Sequence, residues 1–375
     1  MSHHRDNIVV IGAGVIGLSA ALRIQEQALS NKAPPSIVIV AREFPSDTSI
    51  NYATPWAGAH YRPCPGNSPQ LVQEALWAKK TYDTLDSWSD KDKLISGVEF
   101  MPGEEFFEDP APEYLDVATD VSRSAYGHLA SGFELLDSQE LASKSDGNSS
   151  LPKLGFRYRS YCLNSPVYAA FLQRRFQHRG GRLRQYTLAS LEEAFYLEES
   201  VSAVINCSGM GFGDPKVFPI RGQTCLVRNP ISKTITRQNS DGSWSFAIPR
   251  PLEGGTVIGG TKEPRNWNPY PSTETRGTLL SNAAKWFPFD SEAASSATTT
   301  TPKSDASRFD VVRDIVGRRP AREGGLRLEM EHLKPGIVVH AYGIGGRGFE
   351  LSWGIADEVV SLLRKRGVLS PRSLI

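Results

Sequence analysis

The sequence predicts an α/β protein in which a parallel sheet with crossover helices is joined to a second, β-rich unit built on a mixed sheet. Three observations predict it. The first is "NIVVIGAGVIGLSAALRIQEQ", a β-branched run, a glycine turn and an apolar-periodic helix in immediate succession. The second is a change of pattern from Arg221 to Gly260, where short β-rich runs separated by turns replace the alternation of strand and helix. The third is "VVHAYGIGGRGFELSWGIA", Val338 to Ala356, in which a strand runs into a glycine cluster that leaves backbone bare.

Taken in order, the N-terminal strand and helix are followed by the breaker "NKAPP" and then by "SIVIVARE", a continuous apolar run typical of a buried parallel strand. Together they make one βαβ unit within the first 43 residues. From Gln70 to Trp88 the residues Leu71, Ala75, Trp77, Ala78, Tyr82 and Leu85 recur at helical spacing. Gly97 to Pro152 has a mixed pattern that does not read as helices on a parallel sheet and is assigned to the second unit. A helix and strand return at "SPVYAAFLQRRFQHRGGRLRQYTL", followed by the buried strand "SAVINCSGMG". The β-rich stretch carries "QTCLV", "SFAIP" and "TVIGGT". Ser291 to Ser307, "SEAASSATTTTPKSDAS", is polar and small and reads as a flexible surface loop. "GIVVHAYGIGG" is a strand entering a glycine turn, and "SWGIADEVVSLLRKR" is the last amphipathic helix. The predicted division is 5–60, 161–220 and 310–366 for a discontinuous nucleotide-binding domain and 61–160 and 221–309 for the other.

Composition narrows the function. Lys+Arg 42 against Asp+Glu 41 leaves a net charge of +1 over 375 residues, which gives no basic footprint for nucleic acid. The glycine-broken apolar stretch from Asn7 to Leu22 is too short to span a membrane, and no cleavable signal follows it. The four cysteines, Cys64, Cys162, Cys207 and Cys225, are scattered without a CxxC pair. They read as small buried apolar residues in a reducing compartment, with no disulfide framework and no metal site.

Gly12, Gly14 and Gly17 form GxGxxG between a strand and a helix. The first glycine permits the tight turn, the second lets a pyrophosphate approach the backbone, and the third lets helix and strand pack closely. With Ala13, Val15 and Ile16 they predict a Rossmann-like dinucleotide site. Glu43, at the end of the second strand, is the candidate partner of the adenosine ribose, and Arg42 beside it could favour a 2′-phosphate or stack on adenine. Both NAD(P) and FAD fit that motif. The βα repeats stop after the first unit, however, and the small, hydroxyl-rich "DTSINYATPWAGA" follows, which suits a flavin better. The glycine N–H groups of "HAYGIGGRG" would likewise suit the flavin pyrimidine edge, which gains negative charge on reduction.

The ordered series "VVIGAGVIGLSAAL", "TPWAGAHYRP", "INCSGMG", "IRGQT", "FAIPRP", "VIGGT", "VGRRPARE" and "VVHAYGIGGRGFELSWGIA" resembles the D-amino-acid oxidases and the related D-aspartate oxidases over nearly the whole chain. The last stretch is similar to that family's signature, H-x-Y-G-x-G-G-x-G followed by W-G-x-A. The resemblance implies a Rossmann-like FAD-binding domain with a second, β-rich, mixed-sheet substrate-binding domain. It further implies non-covalent FAD and oxidation of a D-amino acid by O2 to a 2-oxo acid, ammonia and hydrogen peroxide.

Residue by residue, the resemblance makes Arg319 the grip on the substrate α-carboxylate, a task that a planar, bidentate guanidinium performs well. Arg318 stands beside it, and the following proline favours Arg319 as the inward one. Gly346 matches the carbonyl that accepts from the substrate amino group. Cofactor contacts are implied at Thr48, Ser49, Trp56, Ala57 and Gly58, at Cys207, Ser208 and Gly209, and at Gly343, Gly345, Arg347, Gly348, Phe349 and Glu350. Phe246 stands where relatives often carry a substrate-touching tyrosine, and it cannot donate a hydrogen bond. Trp244 lies near the position of a second such tyrosine. In the mechanism the family implies, the α-hydrogen leaves as hydride for flavin N5, so no side chain has to abstract a proton and positioning does most of the work.

His60, Arg62 and Arg347 are pocket candidates. If they converge on the substrate side chain, the preference moves to D-aspartate or D-glutamate; otherwise they are rim residues and neutral D-amino acids are the substrates. His340 reads as a core histidine and Tyr342 as a packing residue beside the flavin. A glycine or sarcosine oxidase, a catalytically idle FAD-binding protein and an NAD(P)-dependent reductase are the more distant readings. The expected partners are a small D-amino acid and O2, in a monomer or homodimer. The resemblance implies a peroxisomal address, but of Ser373, Leu374 and Ile375 only the serine matches Ser-Lys-Leu, and the cytoplasm is the alternative.

Overall fold

The N-terminal βαβ unit sets the first sheet. In the computed structural model, which describes residues 7–28, 34–143, 151–289 and 306–369, β1 (Asn7–Ile11) turns into α1 (Val15–Ala28) and returns as β2 (Ser36–Ala41). The two strands are parallel, from Asn7 opposite Ser36 to Ile11 opposite Val40, and buried along nearly their whole length.

The other elements follow in chain order. α2 (Pro69–Asp86), α3 (Asp90–Ser96), β3 (Val98–Phe107), α4 (Pro112–Thr119), β4 (Glu134–Leu135), α5 (Ser138–Ala142) and β5 (Leu154–Leu163) come first. Next are α6 (Ser165–His178), β6 (Arg182–Gln185), β7 (Val201–Asn206), β8 (Val217–Val227), β9 (Thr234–Gln238), β10 (Trp244–Pro249), β11 (Thr256–Gly259) and β12 (Glu263–Pro264). α7 (Thr273–Trp286), β13 (Val311–Arg322), β14 (Arg327–Leu333), β15 (Gly336–Tyr342) and α8 (Gly348–Lys365) come last.

Among the described residues the strands form two sheets. The first has six strands in the order β14-β15-β7-β1-β2-β6, parallel apart from the β14–β15 hairpin. The second has nine, in the order β12-β8-β11-β10-β9-β3-β5-β4 with β13 along β8. It is mixed, because β3 and β9 run parallel while its other pairs are antiparallel. The stretch from Gly97 to Pro152, illegible as a parallel-sheet unit, supplies β3 and β4 to this second sheet. β13 falls in the stretch 310–366 expected in the nucleotide-binding domain, yet it pairs with β8 from Val311 to Arg322. Near its end Ala321 bridges to Ile344, in the glycine turn that follows β15.

The largest buried cluster includes Leu18 and Leu22 of α1, Phe176 of α6 and Trp353 and Val359 of α8, packed with the first sheet's Val10 and Ile39. A second cluster lies where α7 (Leu280, Ala283) covers Cys225 and Ile258 of the second sheet. α8 starts at Gly348, four residues before the apolar pattern that identified it. Gly354 within it packs against α2, since an added Cβ would lie 2.3 Å from Trp77 Cα. Cys162, Cys207 and Cys225 are buried as expected, whereas Cys64 is only partly buried; all four are free thiols. No helix of the described residues is long and apolar enough to cross a membrane. The expected loop lies outside the described residues from Ser291 to residue 305, as do Ser373, Leu374 and Ile375.

Candidate active site

A cavity of about 2420 Å³ lies between the two sheets, larger than the roughly 300–1,000 Å³ that a drug-sized ligand occupies. One wall comes from the C-terminal ends of β1, β2 and β7, where open parallel sheets hold their ligands. The opposite wall comes from β8, β10 and β13. Of the sequence-predicted site residues, all but Gly17, Thr48 and Ser49 line this one cavity.

The β1–α1 turn is built for close backbone contact. Gly12 has φ +97°, and a Cβ there would lie 2.4 Å from the Cys207 carbonyl oxygen; a Cβ on Gly17 would lie 2.0 Å from that of Gly12. Arg42 and Glu43 both line the wall, but they are paired with each other at 2.8 Å. Thr48 and Ser49 lie off the cavity, and from the same loop Asn51, Tyr52 and Thr54 line the wall. Thr54 Oγ1 accepts from Val15 N at 3.1 Å, capping the start of α1 from 39 residues away, and the Tyr52 hydroxyl donates to Ala13 O at 2.7 Å. The hydroxyl-rich composition of this segment was legible, but which hydroxyl reaches the turn was not.

His340 is a buried core residue, as expected. Its Nδ1 faces Asn206 Nδ2 at 3.2 Å and its Nε2 faces Glu331 at 2.9 Å. An amide N–H must donate to Nδ1, so the proton sits on Nε2 and the ring is neutral. Burial holds its pKa down. Tyr342 donates to Asp214 at 2.9 Å beside Arg322, also on Asp214 at 2.8 Å.

The glycine turn after β15 joins this wall to the substrate end. Gly343 and Gly345 have φ +85° and +67°, and Gly345 N donates to Pro320 O at 2.6 Å. α8 then begins at Gly348 with no side-chain cap, so its first N–H groups and the positive end of its dipole open at the cavity. The Arg347 side chain is spent elsewhere, bidentate on Glu350 at 2.9 Å twice and on Glu74 at 2.5 Å. It is not free for a substrate carboxylate.

The alternation of β13 sends Arg318 and Arg319 to different surroundings. Arg318 is at the rim, donating to Asn51 Oδ1 at 2.7 Å and to the Trp267 carbonyl. Arg319 lies inside, its Nη1 donating to Thr261 O at 3.2 Å. Gly222 makes room for it, since a Cβ there would lie 2.4 Å from Nη2, and a Cβ on Gly346 would lie 3.4 Å from its Cδ. Among the described residues no carboxylate pairs with Arg319. Burial pulls its pKa down, with Glu263 opposing.

Facing the same cavity, Arg62 lies over the Trp244 ring at 4.5 Å and donates to the Tyr114 hydroxyl at 3.0 Å; its nearest carboxylate, Glu105, is 3.5 Å away. His60 has a buried Nδ1 without a partner, and burial, with Arg62 beside it, pushes its pKa down to about 3. Beneath the cavity runs a cross-strand row of Thr224, Gly259, Phe246, Thr236 and Glu105 on five adjacent strands, of which Thr224, Phe246 and Thr236 line it. Gly259 yields its side-chain space to the Phe246 ring, which would be 2.1 Å from a Cβ there. The Thr224 and Thr236 hydroxyls are buried without partners. Sequence reasoning missed these two threonines and Glu105, because only strand register puts them together.

This wall fits a flavin dinucleotide on three observations. Gly12 and Gly14 leave bare backbone at the start of α1, the buried Ser208 Oγ on the same wall has no partner, and the uncapped start of α8 can face a group that becomes anionic.

The chain matches the FAD dependent oxidoreductase family over residues 7–362. It is 46% identical over 373 residues to a D-aspartate oxidase of Talaromyces thermophilus, covering 95% of this chain and 94% of that one. It is 27% identical over 367 residues to a D-amino-acid oxidase of Schizosaccharomyces pombe, covering 95% of each. Among solved structures, glycine oxidase from Geobacillus kaustophilus superposes with a TM-score of 0.69 at 17% identity, over 96% of this chain and 95% of that one. L-alpha-glycerophosphate oxidase from Mycoplasma pneumoniae, solved with FAD bound, gives 0.68 at 13% identity over 96% and 94%.

Proposed function

This chain belongs to the FAD-dependent oxidoreductase family, and from that premise we propose that it oxidises D-amino acids and prefers those with an acidic side chain, D-aspartate and D-glutamate. The observation that carries the preference is a pair of arginines, Arg319 and Arg62, facing one cavity with no carboxylate closer than 3.5 Å to Arg62 and none paired with Arg319 among the described residues. Two guanidinium groups facing one cavity, Arg319 with no carboxylate partner among the described residues and Arg62 with its carboxylate no nearer than 3.5 Å, suit a dianion. The D configuration rests on the relatives.

The overall change is D-amino acid plus O2 plus water giving 2-oxo acid, ammonia and hydrogen peroxide. FAD, held by the glycine turns of β1–α1 and of β15–α8, would supply the two-electron acceptor for the Cα hydrogen, with O2 as the final oxidant. Arg319 grips the α-carboxylate, and the Gly346 carbonyl accepts from the α-amino group beside it. Arg62, held over the Trp244 ring, takes the side-chain carboxylate. Phe246 packs the floor and excludes water near the reacting carbon. His60, held neutral by burial, adds no charge beside Arg62. The start of α8 stabilises the charge that the cofactor gains.

The enzyme's peroxide product fits a peroxisomal setting. The test of the reading is anaerobic reduction of the bound flavin by D-alanine, D-valine, D-phenylalanine, D-aspartate and D-glutamate and by their L-forms. Bleaching by D-aspartate and D-glutamate far ahead of the neutral acids is expected. Equal or faster bleaching by neutral D-acids would return Arg62 and His60 to the rim, and no bleaching at all would leave a flavin protein without this activity.

A further inference from the structure

Beside Arg62 stands a carboxylate with no place in the scheme above. Glu105 on β3 is 1% exposed. Its Oε1 lies 2.7 Å from the Tyr126 hydroxyl and 2.7 Å from that of Tyr158, and its Oε2 lies 3.5 Å from Arg62 Nη1.

The hydrogens around Glu105 can be counted. The Tyr126 hydroxyl is 2.7 Å from Glu105 Oε1 and also 3.0 Å from the Pro63 carbonyl oxygen. A phenol owns one proton, while a carbonyl and an ionised carboxylate only accept. With Glu105 ionised, one of those two close oxygen–oxygen contacts has no hydrogen in it. With a proton on Oε1 the count closes: Glu105 donates to Tyr126, Tyr126 donates to Pro63 O, and Tyr158 donates to Glu105.

The separation from Arg62 agrees. Charge-assisted pairs close to about 2.7–2.9 Å, and in this molecule the buried pair of Arg237 with Glu108 does so, at 2.7 and 2.9 Å. Arg62 stays 3.5 Å from Glu105 yet closes to 3.0 Å on the neutral phenol of Tyr114. The groups that face Glu105 are Arg62 and Cys64 from the segment after His60, Tyr114 from α4, Tyr126 and Tyr158. Burial raises the pKa of Cys64 and of the three tyrosines, so Arg62 is the one charge among them. Burial likewise raises that of Glu105, with Arg62 opposing.

We propose that Glu105 keeps its proton in the resting enzyme and acts as a neutral positioning residue, fixing Arg62 while leaving its positive charge for the second carboxylate of the substrate. The inference rests on the assignment of Arg62 to the substrate side chain. An ionised Glu105 would cancel that charge, and a dianionic substrate would meet a neutral pair. A protonated Glu105 leaves a cation poised over Trp244, whose unfavourable burial is relieved when the substrate binds. As pH rises and Glu105 ionises, the preference for an acidic side chain should fade.

The test uses flavin-loaded wild-type enzyme and Glu105→Gln, in which an amide reproduces the neutral donor. The KM for D-aspartate should stay within about twofold at neutral pH. The wild-type rise of that KM relative to the KM for D-alanine at high pH should vanish in the variant. The infrared difference spectrum between the two should contain the carbonyl stretch of a protonated carboxylic acid, shifted in D2O. A carboxylate band in its place, or a several-fold lower KM for D-aspartate in Glu105→Gln, would overturn the proposal. If that variant does not fold, Tyr126→Phe gives a second difference spectrum: loss of the acceptor should shift the acid band, and absence of an acid band overturns the idea equally. Arg62→Leu separates the two readings, because an unchanged D-aspartate KM there would reject the substrate assignment while the acid band still decides Glu105.

Discussion

Along the first sheet's wall Arg42 is neutralised by Glu43 and Arg327 by Glu331, and Arg322, at the end of β13, by Asp214, at 2.8–2.9 Å. At the substrate end Arg319 has only a carbonyl, and Arg62 has a phenol, an indole face and a distant acid. The first wall meets its ligand through backbone, so it needs glycines and helix ends. The second meets its ligand through side chains, so it needs charges held ready. One end is specified by what is left out of the chain, and the other by what the ligand must complete.

The change that should break the backbone end most completely is Gly17→Ala. The new Cβ has no room, at 2.0 Å from the Gly12 carbonyl oxygen, and neither partner is a movable side chain. Overpacking typically costs about 1–3 kcal/mol and occasionally more, and a backbone clash this close belongs at the upper end; the purified variant should be colourless, read as the ratio of flavin to protein absorbance. At the other end Arg319→Leu should keep its colour, because Arg319 is unpaired and sits away from the β1–α1 turn. Losing a buried carboxylate grip corresponds to about 2–5 kcal/mol, or roughly 30-fold to several thousand-fold in kcat/KM for D-aspartate. A colourless Arg319→Leu, or a yellow Gly17→Ala, would erase the distinction between the ends.

Arg62→Leu sharpens the comparison within the substrate end. It should raise the KM for D-aspartate by about 10- to 100-fold, as expected for one charge-assisted contact of 1.5–3 kcal/mol, and leave D-alanine within a few-fold. Equal losses on both substrates would make Arg62 a structural residue.

The smallest effect concerns protons. His60 is held down to about 3 and His128 to about 4, from 6.5, and His340 is lowered as well. In the pH range between those values the unfolded chain binds protons that the folded chain refuses, so stability rises with pH through that window and falls on acidification. The Tm should drop as pH is lowered from about 6.5 toward 4, and His60→Asn should flatten part of that slope. An unchanged slope would mean that His60 charges freely in the folded enzyme.

The same contrast explains what could be read without coordinates. Gly12, Gly14 and Gly17, the strands beside them and the cluster from Gly343 to Gly348 were legible because a backbone requirement is written at consecutive positions. Arg319 was singled out by resemblance and by the proline after it, and strand alternation does separate it from Arg318. Thr54 was not legible, because its cap on α1 comes from another loop. The row through Thr224, Gly259, Phe246, Thr236 and Glu105 depends on the register of five strands drawn from distant parts of the chain. The fate of Arg347 depends on Glu74, brought to it by the packing of α2 on α8. Thr48 and Ser49, expected as cofactor contacts, lie off the cavity, while Asn51, Tyr52 and Thr54 of the same loop line it.

The first sheet also fixes a schedule. β1 ends at Ile11, yet its neighbour β7 ends at Asn206 and the next strand over, β15, ends at Tyr342. At roughly 5–20 residues per second, about 15 seconds to a minute separates the synthesis of β1 from that of β15. Through that interval the apolar strands "NIVVI" and "SIVIVA" have one another but lack the partners that complete the sheet. The nascent chain should therefore need protection of these strands from aggregation until β15 has been made.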